Sequence, residues 1–325
     1  MKKLLFAGFG VIGRGLAESL LAKDGKRFKV VGIIEKDYSI INEDGIDLKR
    51  ALSKGLAGLP GKVTKKPDLI IRSLDYDILC EMTPGNIRDG GVGLSYMKAA
   101  LRSGRDVVTS NKSPLVVAFD ELMQLARDND AMMRYEATVC GAIPVISTCL
   151  NQLGHNRITN IKGIFNGTTN YILSKMSEES VDFQVALKEA QELGYAETDP
   201  SYDVDGVDAG AKVCILANTI LGKSIGYGDV DVQGIGDITL DSIDLAKKHG
   251  YVIKLIGDVA AQKVAPTLVP EDHPLNVAGT LNAVQISCDL AGAITMIGAG
   301  AGSRETSSAL IADLMGSLGP VHDRG

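Results

Sequence analysis

Residues 194–212 crowd five carboxylates ahead of one lysine. The carboxylates belong to Glu197, Asp199, Asp203, Asp205 and Asp208, and the lysine is Lys212. Asp208 and Lys212 lie four residues apart at the start of a predicted helix, so they share a face and can pair. On an exposed helix such a pair is a weak surface contact. Because the helix continues as an apolar stretch, we predict that its N-terminal end faces a cleft. There Lys212 could bind a polar, amino-bearing substrate and transfer a proton.

Spacing excludes a calcium loop in this segment. If Asp203 and Asp205 are aligned with an EF-hand loop, Gly206 occupies the position where that loop requires glycine, but Lys212 occupies the twelfth position. That position requires a bidentate glutamate. The segment is therefore read as a site for an organic substrate.

A glycine-rich turn near the N-terminus has the spacing of a dinucleotide fingerprint. Gly8, Gly10 and Gly13 form G-x-G-x-x-G between a predicted strand and a predicted helix, the context that this motif requires. Without Cβ atoms at Gly8 and Gly10, a pyrophosphate can approach the unpaired N–H groups of the helix N-terminus. The alternative, a purely structural turn, is disfavoured by that context.

The sequence contains features that favour NAD and others that favour NADP. Glu35 ends the second predicted strand, where an acidic side chain commonly accepts a hydrogen bond from the adenosine ribose. A carboxylate there favours NAD because it repels a 2′-phosphate. Lys36, Lys49 and Arg50 follow closely and could instead hold a phosphate. Both NAD and NADP stay open at this point.

A second lysine, Lys112, follows a predicted strand over residues 106–109. Ligands bind beyond the carboxyl ends of the strands in a doubly wound sheet, which is where Lys112 is expected. It does not belong to a P-loop, because Asn111 replaces the required glycine. The alternative is a surface lysine that closes a loop.

The elements that must position these residues divide the chain in two. The first 135 residues alternate short aliphatic runs with helical spacing, which predicts an α/β fold with a doubly wound parallel Rossmann sheet. Its strands are predicted over 3–7, 28–34, 78–82, 106–109 and 132–137, with helices in the gaps, one of them over 119–126. This part, residues 1–135, is the predicted dinucleotide-binding domain, and residues 299–325 are expected to pack back on it.

Longer helices mark the second part of the chain, residues 136–298, which we predict to be an α+β substrate-binding and dimerisation domain. Strands are predicted over 158–165 and 251–264, and helices over 169–176, 183–193, 207–221 and 242–248. A helix over 303–318 follows a second glycine cluster at 298–302.

Composition narrows the function. With 34 basic against 40 acidic residues, the net charge of −6 disfavours a nucleic-acid binder, and no apolar run is long enough to span a membrane. The five cysteines are odd in number and widely spread, which suggests neither disulfides nor a zinc site. We expect a cytoplasmic protein that acts on small molecules.

These motifs, in this order, resemble the homoserine dehydrogenases over nearly the whole chain. The resemblance rests on the glycine fingerprint, the acidic loop ending in Lys212 and the glycines of 298–302, together with three further stretches: Thr109-Ser110-Asn111-Lys112, Glu136-Ala137-Thr138-Val139 and Gly163-Ile164-Phe165-Asn166-Gly167-Thr168-Thr169-Asn170-Tyr171-Ile172. Members of that family interconvert homoserine and aspartate 4-semialdehyde with NAD(H) or NADP(H), on the route to threonine, methionine and isoleucine.

The resemblance implies roles for individual residues. Lys212 would transfer the proton at the substrate oxygen, Lys112 would assist near that oxygen and the cofactor, and Asp208 would orient Lys212. The implied substrate-binding residues are Glu197, Asp203, Asp208, Tyr195, Gly167 and Thr168. The implied cofactor-binding residues are Gly8, Phe9, Gly10, Val11, Ile12, Gly13, Glu35, Thr83, Pro84, Ser110, Lys112 and Gly302.

The resemblance also implies a sodium ion held by main-chain carbonyls and a homodimer built through the second part of the chain. The implied sodium ligands are Glu136, Val139, Gly141 and Ile143. Cys140 replaces a glycine common in the family, and Cys resists conformations that glycine adopts. Arg304 and Glu305 stand where relatives usually have a proline before the threonine, here Thr306. The chain ends at Gly325, so we expect neither a regulatory domain nor a fused aspartate kinase, and no feedback inhibition through one.

Two alternatives remain at this stage. One is another Rossmann dehydrogenase of a small amino acid or aldehyde, which a substrate panel would separate. The other is a nonenzymatic dinucleotide sensor whose second part binds a partner. Absence of Lys112 or Lys212 would favour the sensor, and both lysines are present.

Overall fold

The computed structural model describes residues 1–24 and 27–319. Contacts divide the chain into two compact units. Unit 1 contains residues 1–138 and the segment from Gly302 onward, and unit 2 contains Val139–Ala301. Of the C-terminal segment expected to pack on the first domain, residues 320–325 lie outside the described residues.

Unit 1 is built on a seven-stranded sheet with the order β4-β3-β2-β1-β5-β6-β7. The strands are β1 (Lys2–Ala7), β2 (Phe28–Ile34), β3 (Ser39–Ile41), β4 (Lys62–Val63), β5 (Ile78–Glu81), β6 (Asp106–Thr109) and β7 (Met133–Arg134). Five strands run parallel, and β3 and β4 add an antiparallel edge. β1 is central and its neighbours β2 and β5 lie on opposite sides, so the direction of winding reverses beside β1, the point at which doubly wound sheets bind ligands.

Helices accompany this sheet. They are α1 (Val11–Ser19), α2 (Leu48–Lys54), α3 (Pro67–Ser73), α4 (Gly91–Arg102), α5 (Lys112–Asp128) and α12 (Ser303–Gly316). The buried side chains of unit 1 form two apolar clusters, one containing Leu4 and Phe6 and the other containing Leu5 and Ala7. Because neighbouring residues of β1 point to opposite faces, this strand is buried on both faces, as a central parallel strand requires.

Unit 2 contains a six-stranded sheet with the order β13-β12-β8-β10-β11-β9. Its strands are β8 (Ile158–Ile164), β9 (Asp231–Val232), β10 (Tyr251–Asp258), β11 (Lys263–Pro270), β12 (Leu281–Cys288) and β13 (Gly292–Ala299). Its helices are α6 (Val145–Ser147), α7 (Gly167–Glu179), α8 (Phe183–Glu192), α9 (Ser201–Val204), α10 (Val207–Leu221) and α11 (Leu240–Lys248). All neighbouring pairs are antiparallel except β11 and β9.

Three sequence-based expectations need correction. The strand predicted over 132–137 is only Met133–Arg134, because Glu136–Thr138 forms a 3-10 turn. The strand predicted over 251–264 is a hairpin of β10 and β11. The helix predicted over 119–126 is the second half of α5, which has non-helical backbone angles at Ala118. Lys112 therefore begins a helix instead of closing a loop.

The hairpin of β12 and β13 was not predicted at all. Residues 290–302, which include β13, combine apolar side chains with four glycines, a composition that hides the two-residue alternation of a strand. Among the described residues, no helix has both the length and the apolarity that crossing a bilayer requires.

Candidate active site

Lys212 carries a buried ammonium in unit 2. Its Nζ donates to Asp208 Oδ2 at 2.7 Å and to the Phe165 carbonyl at 2.6 Å. Lys212 is 6% exposed and Asp208 7%. The first turns of α10 are buried on nearly all sides, so the pair predicted from spacing is not a solvated surface contact. A buried pair of this kind is costly to break, because either partner alone would be an uncompensated charge.

Asn166 links this pair to a second carboxylate. Its Nδ2 donates to Asp203 Oδ1 at 2.6 Å and to Asp208 Oδ2 at 3.0 Å. Its Oδ1 accepts from the backbone N–H of Thr169, which makes Asn166 the N-cap of α7. One amide therefore both starts a helix and holds two carboxylates beside Lys212.

The pKa of Asp203 is raised above its usual value. Burial raises the pKa of Asp203, and the nearby charge of Asp208 raises it further. Hydrogen bonds from Asn166 and Thr168 act in the opposite direction. A cationic group of a substrate placed beside Asp203 would relieve this repulsion.

The rim of the cluster comes from α7 and the segment before α9. Thr168 Oγ1 donates to the Tyr195 carbonyl at 2.8 Å, and the ring of Tyr195 contacts the ring of Tyr171 edge-on at 4.9 Å. At Gly167, a Cβ atom would lie 2.6 Å from the Thr280 carbonyl oxygen, so only glycine allows this close approach. Of the predicted substrate-binding residues, Tyr195 and Glu197 are exposed, and the main-chain carbonyl of Glu197 accepts a hydrogen bond from Gln191.

In unit 1, the glycine turn between β1 and α1 has the shape expected of a phosphate-binding loop. A Cβ atom at Gly8, where φ is +94°, would lie 2.8 Å from the Met82 carbonyl oxygen, and one at Gly13 would overlap the Gly8 carbonyl. A Cβ at Gly10 would meet nothing within 4 Å. Gly8 and Gly13 therefore permit packing, whereas Gly10 leaves open space at the start of α1. These residues fit a dinucleotide pyrophosphate.

Glu35 lies just beyond the end of β2 and is tied to this turn. Its carboxylate accepts a hydrogen bond from the backbone N–H of Phe9. Val11, the first residue of α1, is 74% exposed, and its carbonyl accepts from Ser303 Oγ at the start of α12. Gly302, the N-cap of α12, has φ of +122°, a conformation that favours glycine. Ile12 packs against the core.

The remaining predicted cofactor residues follow β5 and β6. Thr83 and Pro84 follow β5 after one intervening residue, and Ser110 follows β6. The Ser110 N–H donates to the Glu81 carbonyl at 3.3 Å. Asn111 caps α5, and Lys112 is its first residue. All four predicted residues therefore lie at the carboxyl edge of the parallel sheet.

The residues expected to hold sodium are buried within their units. Glu136 is buried in unit 1, and Val139 and Ile143 are buried in unit 2. Gly141 has φ of +51°, and the preceding Cys140 has φ of +60°. Cys140 thus adopts the left-handed conformation that we expected it to resist, at a cost of roughly 1–2 kcal/mol.

Sequence reasoning missed two contributors to the site. Asn166 and Phe165 were recognised as part of a motif, but no role was assigned to either. The signal for Asn166 was available, because asparagine directly before a helix is a preferred N-cap. The Phe165 carbonyl carried no signal, since a main-chain acceptor is independent of residue type.

Family models match both parts of the chain. Residues 8–136 match the model described as "Homoserine dehydrogenase, NAD binding domain" and residues 144–315 match that described as "Homoserine dehydrogenase". The chain belongs to the homoserine dehydrogenase family. The enzyme is thus an NAD(P)-dependent oxidoreductase, and the sensor alternative is not favoured.

Three individual relatives match this chain over nearly their whole length. The enzyme is 42% identical to a homoserine dehydrogenase of Methanocaldococcus jannaschii, with 96% of this chain and 97% of that one covered. It is 37% identical to an NAD(+)-dependent homoserine dehydrogenase of Pseudomonas canavaninivorans, with 96% and 95% covered. The crystal structure of a putative homoserine dehydrogenase from Archaeoglobus fulgidus superposes with a TM-score of 0.90 at 44% identity, covering 98% and 99% of the chains.

Proposed function

We propose that this enzyme catalyses the reversible reaction L-homoserine + NAD(P)⁺ ⇌ L-aspartate 4-semialdehyde + NAD(P)H + H⁺. The observation that carries the proposal is the buried Lys212–Asp208 pair at the start of an apolar helix. An alkoxide that forms as a hydride arrives needs a proton donor beside it, and a buried, oriented lysine meets that need. The bound nicotinamide supplies the hydride chemistry.

In the proposed roles, Lys212 Nζ gives a proton to the substrate oxygen during reduction and takes it back during oxidation. Two of its three hydrogens are directed to Asp208 and Phe165, which leaves one direction for the substrate. Asp208 fixes the ammonium and supports its charge. Lys112, the first residue of α5, is proposed as a residue that acts near the cofactor.

The substrate's own ammonium is proposed to bind at the carboxylates beside this pair. Asp203 is held in place by Asn166, and the like charge of Asp208 makes an added cation favourable there. Gly167, Thr168 and Tyr195 are proposed to line the pocket. Glu197 is exposed, so its proposed contact with the ammonium requires that its side chain turn toward the pocket when substrate binds.

For the cofactor, we propose a preference for NAD. Glu35 is anchored to the glycine turn through Phe9, so its carboxylate stays at the position where an adenosine ribose would bind. Lys36, Lys49 and Arg50 are all exposed. Gly8, Gly10 and Gly13 would accommodate the pyrophosphate, with Phe9, Val11 and Ile12 in the same turn. Thr83, Pro84, Ser110 and Gly302 are proposed to border the rest of the dinucleotide.

Sodium remains part of the proposal. Cys140 and Gly141 both adopt the left-handed conformation, which a glycine at position 140 could also adopt without strain. The proposed ligands are the main-chain carbonyls of Glu136, Val139, Gly141 and Ile143. Such hard oxygen donors suit a hard monovalent cation.

A homodimer is proposed through the free edge of the unit 2 sheet. β13 is the edge strand, its eight residues carry no charge, and Ile297 is 53% exposed. Long uncharged edges of this kind are templates for pairing with another chain. Ile297→Lys should shift the sedimentation coefficient toward the monomer, whereas Leu268→Lys, at an exposed site on β11, should not. A monomeric wild type would exclude the dimer.

The deciding experiment follows nicotinamide absorbance in purified enzyme mixed with homoserine, run with NAD and NADP in parallel. Serine, threonine and simple alcohols serve as substrate controls. We expect turnover restricted to homoserine and faster with NAD. Folded protein that binds NADH but turns over none of these substrates would refute the proposed reaction, and turnover of another hydroxy amino acid would redirect it.

A further inference from the structure

Glu81, the last residue of β5, carries a carboxylate that the proposed chemistry does not use. Its exposed fraction is 0%. Burying a carboxylate is costly unless hydrogen bonds compensate it, and burial raises the pKa of Glu81. An apolar residue at the end of β5 would avoid this cost. The position therefore points to a role that depends on the carboxylate.

Neutral donors from the loop after β5 and from the end of β6 hold this carboxylate. Oε1 accepts from the Thr83 N–H at 2.9 Å and from the Thr83 hydroxyl. Oε2 accepts from the Thr109 hydroxyl at 2.9 Å. The same Thr109 hydroxyl accepts from the Asn111 N–H at 3.0 Å. One side chain thus ties the loop after β5 to the loop after β6.

Two glycines leave the space that this arrangement needs. A Cβ atom on Gly93 of α4 would lie 2.8 Å from Glu81 Oε1 and 2.8 Å from Asn111 Nδ2. A Cβ atom on Gly85 would lie 2.5 Å from Ser113 Oγ and 2.9 Å from Asn111 Oδ1. Neighbouring elements are therefore fitted closely around the side chains of Glu81 and Asn111.

The position of Glu81 in the sheet links it to the dinucleotide. The glycine turn follows β1 and Glu35 follows β2, so the pyrophosphate and the adenosine ribose belong on that side. β5 and β6 lie on the other side of the point where the winding reverses. The nicotinamide half of a dinucleotide that crosses this point must therefore meet the loops that follow β5 and β6.

We propose that Glu81 is a positioning residue that holds the Thr83–Pro84 loop and the Ser110–Lys112 loop in the arrangement required by the nicotinamide half of the cofactor. The inference rests on the proposed function, since it assumes that a dinucleotide binds at this edge. Glu81 acts through these loops and does not itself take part in proton or hydride transfer.

The test compares Glu81→Ala and Glu81→Gln with wild type. Dissociation constants for NADH are measured by fluorescence titration, together with KM for NAD, KM for homoserine and the thermal midpoint. We expect Glu81→Ala to raise Kd and KM for the dinucleotide about tenfold and to leave KM for homoserine within about twofold. Glu81→Gln, which keeps one acceptor oxygen for Thr83, should recover most of the loss. The matched control is Glu121→Ala, which removes an exposed glutamate of α5. This variant should change neither the binding of the dinucleotide nor KM for homoserine.

Several outcomes overturn the inference. An unchanged Kd for NADH in folded Glu81→Ala would do so, as would equal rises in both KM values with a falling thermal midpoint, which indicate a merely structural role. If Glu81→Ala does not fold, Thr109→Val removes one of the same hydrogen bonds and must show the same split between the two KM values. Lack of homoserine turnover in wild type would refute the proposed reaction alone, because the NADH titrations still test Glu81.

Discussion

The glycine turn of unit 1 and the lysine cluster of unit 2 are built on different physical terms. The turn is shaped by absent atoms: a methyl group at Gly8 would lie 2.8 Å from the Met82 carbonyl, and at Gly10 the same group would meet nothing. The cluster is shaped by charge: Lys212, Asp208 and Asn166 are joined by contacts of 2.7 to 3.0 Å.

This difference determines which substitutions each region tolerates. Added atoms in the turn should disturb its packing or block its open space, and its stability should depend little on the charge of nearby side chains. The cluster should fail when a charge is removed even if the volume is kept, because the buried partner is then left without compensation. The following predictions test this contrast, beginning with the largest expected effect.

Removing the charge of Lys212 should have the largest consequence. Lys212→Met keeps most of the volume and is expected to lower kcat for homoserine oxidation about a thousandfold, the range typical of a positioned proton donor. The dissociation constant for NADH should stay near the wild-type value. The matched control is Lys223→Met, at a lysine that lies just after Gly222, the C-cap of the same helix, and whose Nζ donates to the Ala260 carbonyl. A near-normal rate for Lys212→Met would remove its proton-transfer role.

Adding a methyl group should separate two glycines of the turn. Gly13→Ala is expected to lower the free energy of unfolding by about 2 kcal/mol or more, because its Cβ would overlap the Gly8 carbonyl. Gly10→Ala should leave stability within about 0.5 kcal/mol but raise Kd for NADH about tenfold. Denaturant titration and fluorescence measure the two effects. Equal behaviour of the two variants would contradict the assignment of Gly10 to the cofactor.

Lys254 is a second buried lysine of unit 2, and the acceptors of its hydrogen bonds are neutral groups. Its Nζ donates to Asn170 Oδ1, Ser174 Oγ and the Val277 carbonyl. Burial lowers the pKa of Lys254 from 10.5 to about 8, although the charge of Glu178 opposes this. A lowered folded-state pKa means that the unfolded chain binds more protons above pH 8, so the stability contributed by Lys254 rises with pH.

We therefore expect the difference in unfolding free energy, wild type minus Lys254→Met, to increase by about 2 kcal/mol between roughly pH 7.5 and 9.5. Denaturant titrations of both proteins at each pH measure this difference and cancel the groups that they share. A flat or falling difference would show that burial does not control this lysine.

Charge at the cofactor turn should affect selectivity more than folding. Glu35→Gln keeps an acceptor for the Phe9 N–H but removes the charge that disfavours a 2′-phosphate. We expect kcat/KM with NADP to rise about tenfold while the value with NAD changes little. Lys36→Gln is the comparison: if it abolishes activity with NADP in the wild-type background, the basic neighbours govern the ribose instead.

The smallest effect is a steric one within unit 2. Cys140 is buried with φ of +60°, so Cys140→Gly should be about 1 kcal/mol more stable than Cys140→Ala. Both variants lose the thiol, but only glycine removes the Cβ atom that strains the left-handed backbone. Thermal and denaturant unfolding would measure the difference. The reverse order would mean that the left-handed conformation carries no cost here.

Much of the fold could be predicted because local patterns and tertiary packing agree. The apolar run of residues 28–34 is β2 with those bounds, and the apolar helix over 207–221 is α10 with those bounds. The β12–β13 hairpin could not be predicted, since its glycines and small residues lack alternation and its strands are defined by pairing with each other and with β8.

The sequence by itself determined the family, the glycine turn and the spacing of Asp208 and Lys212, because each depends on residues close together along the chain. Tertiary structure alone decided the rest. It brought Asn166 to two carboxylates 37 and 42 residues away, placed Glu81 against Thr109, and left Glu197 exposed in this structure. Contacts between distant residues depend on how helices and strands pack, and no local spacing encodes the resulting loss of water around a charge.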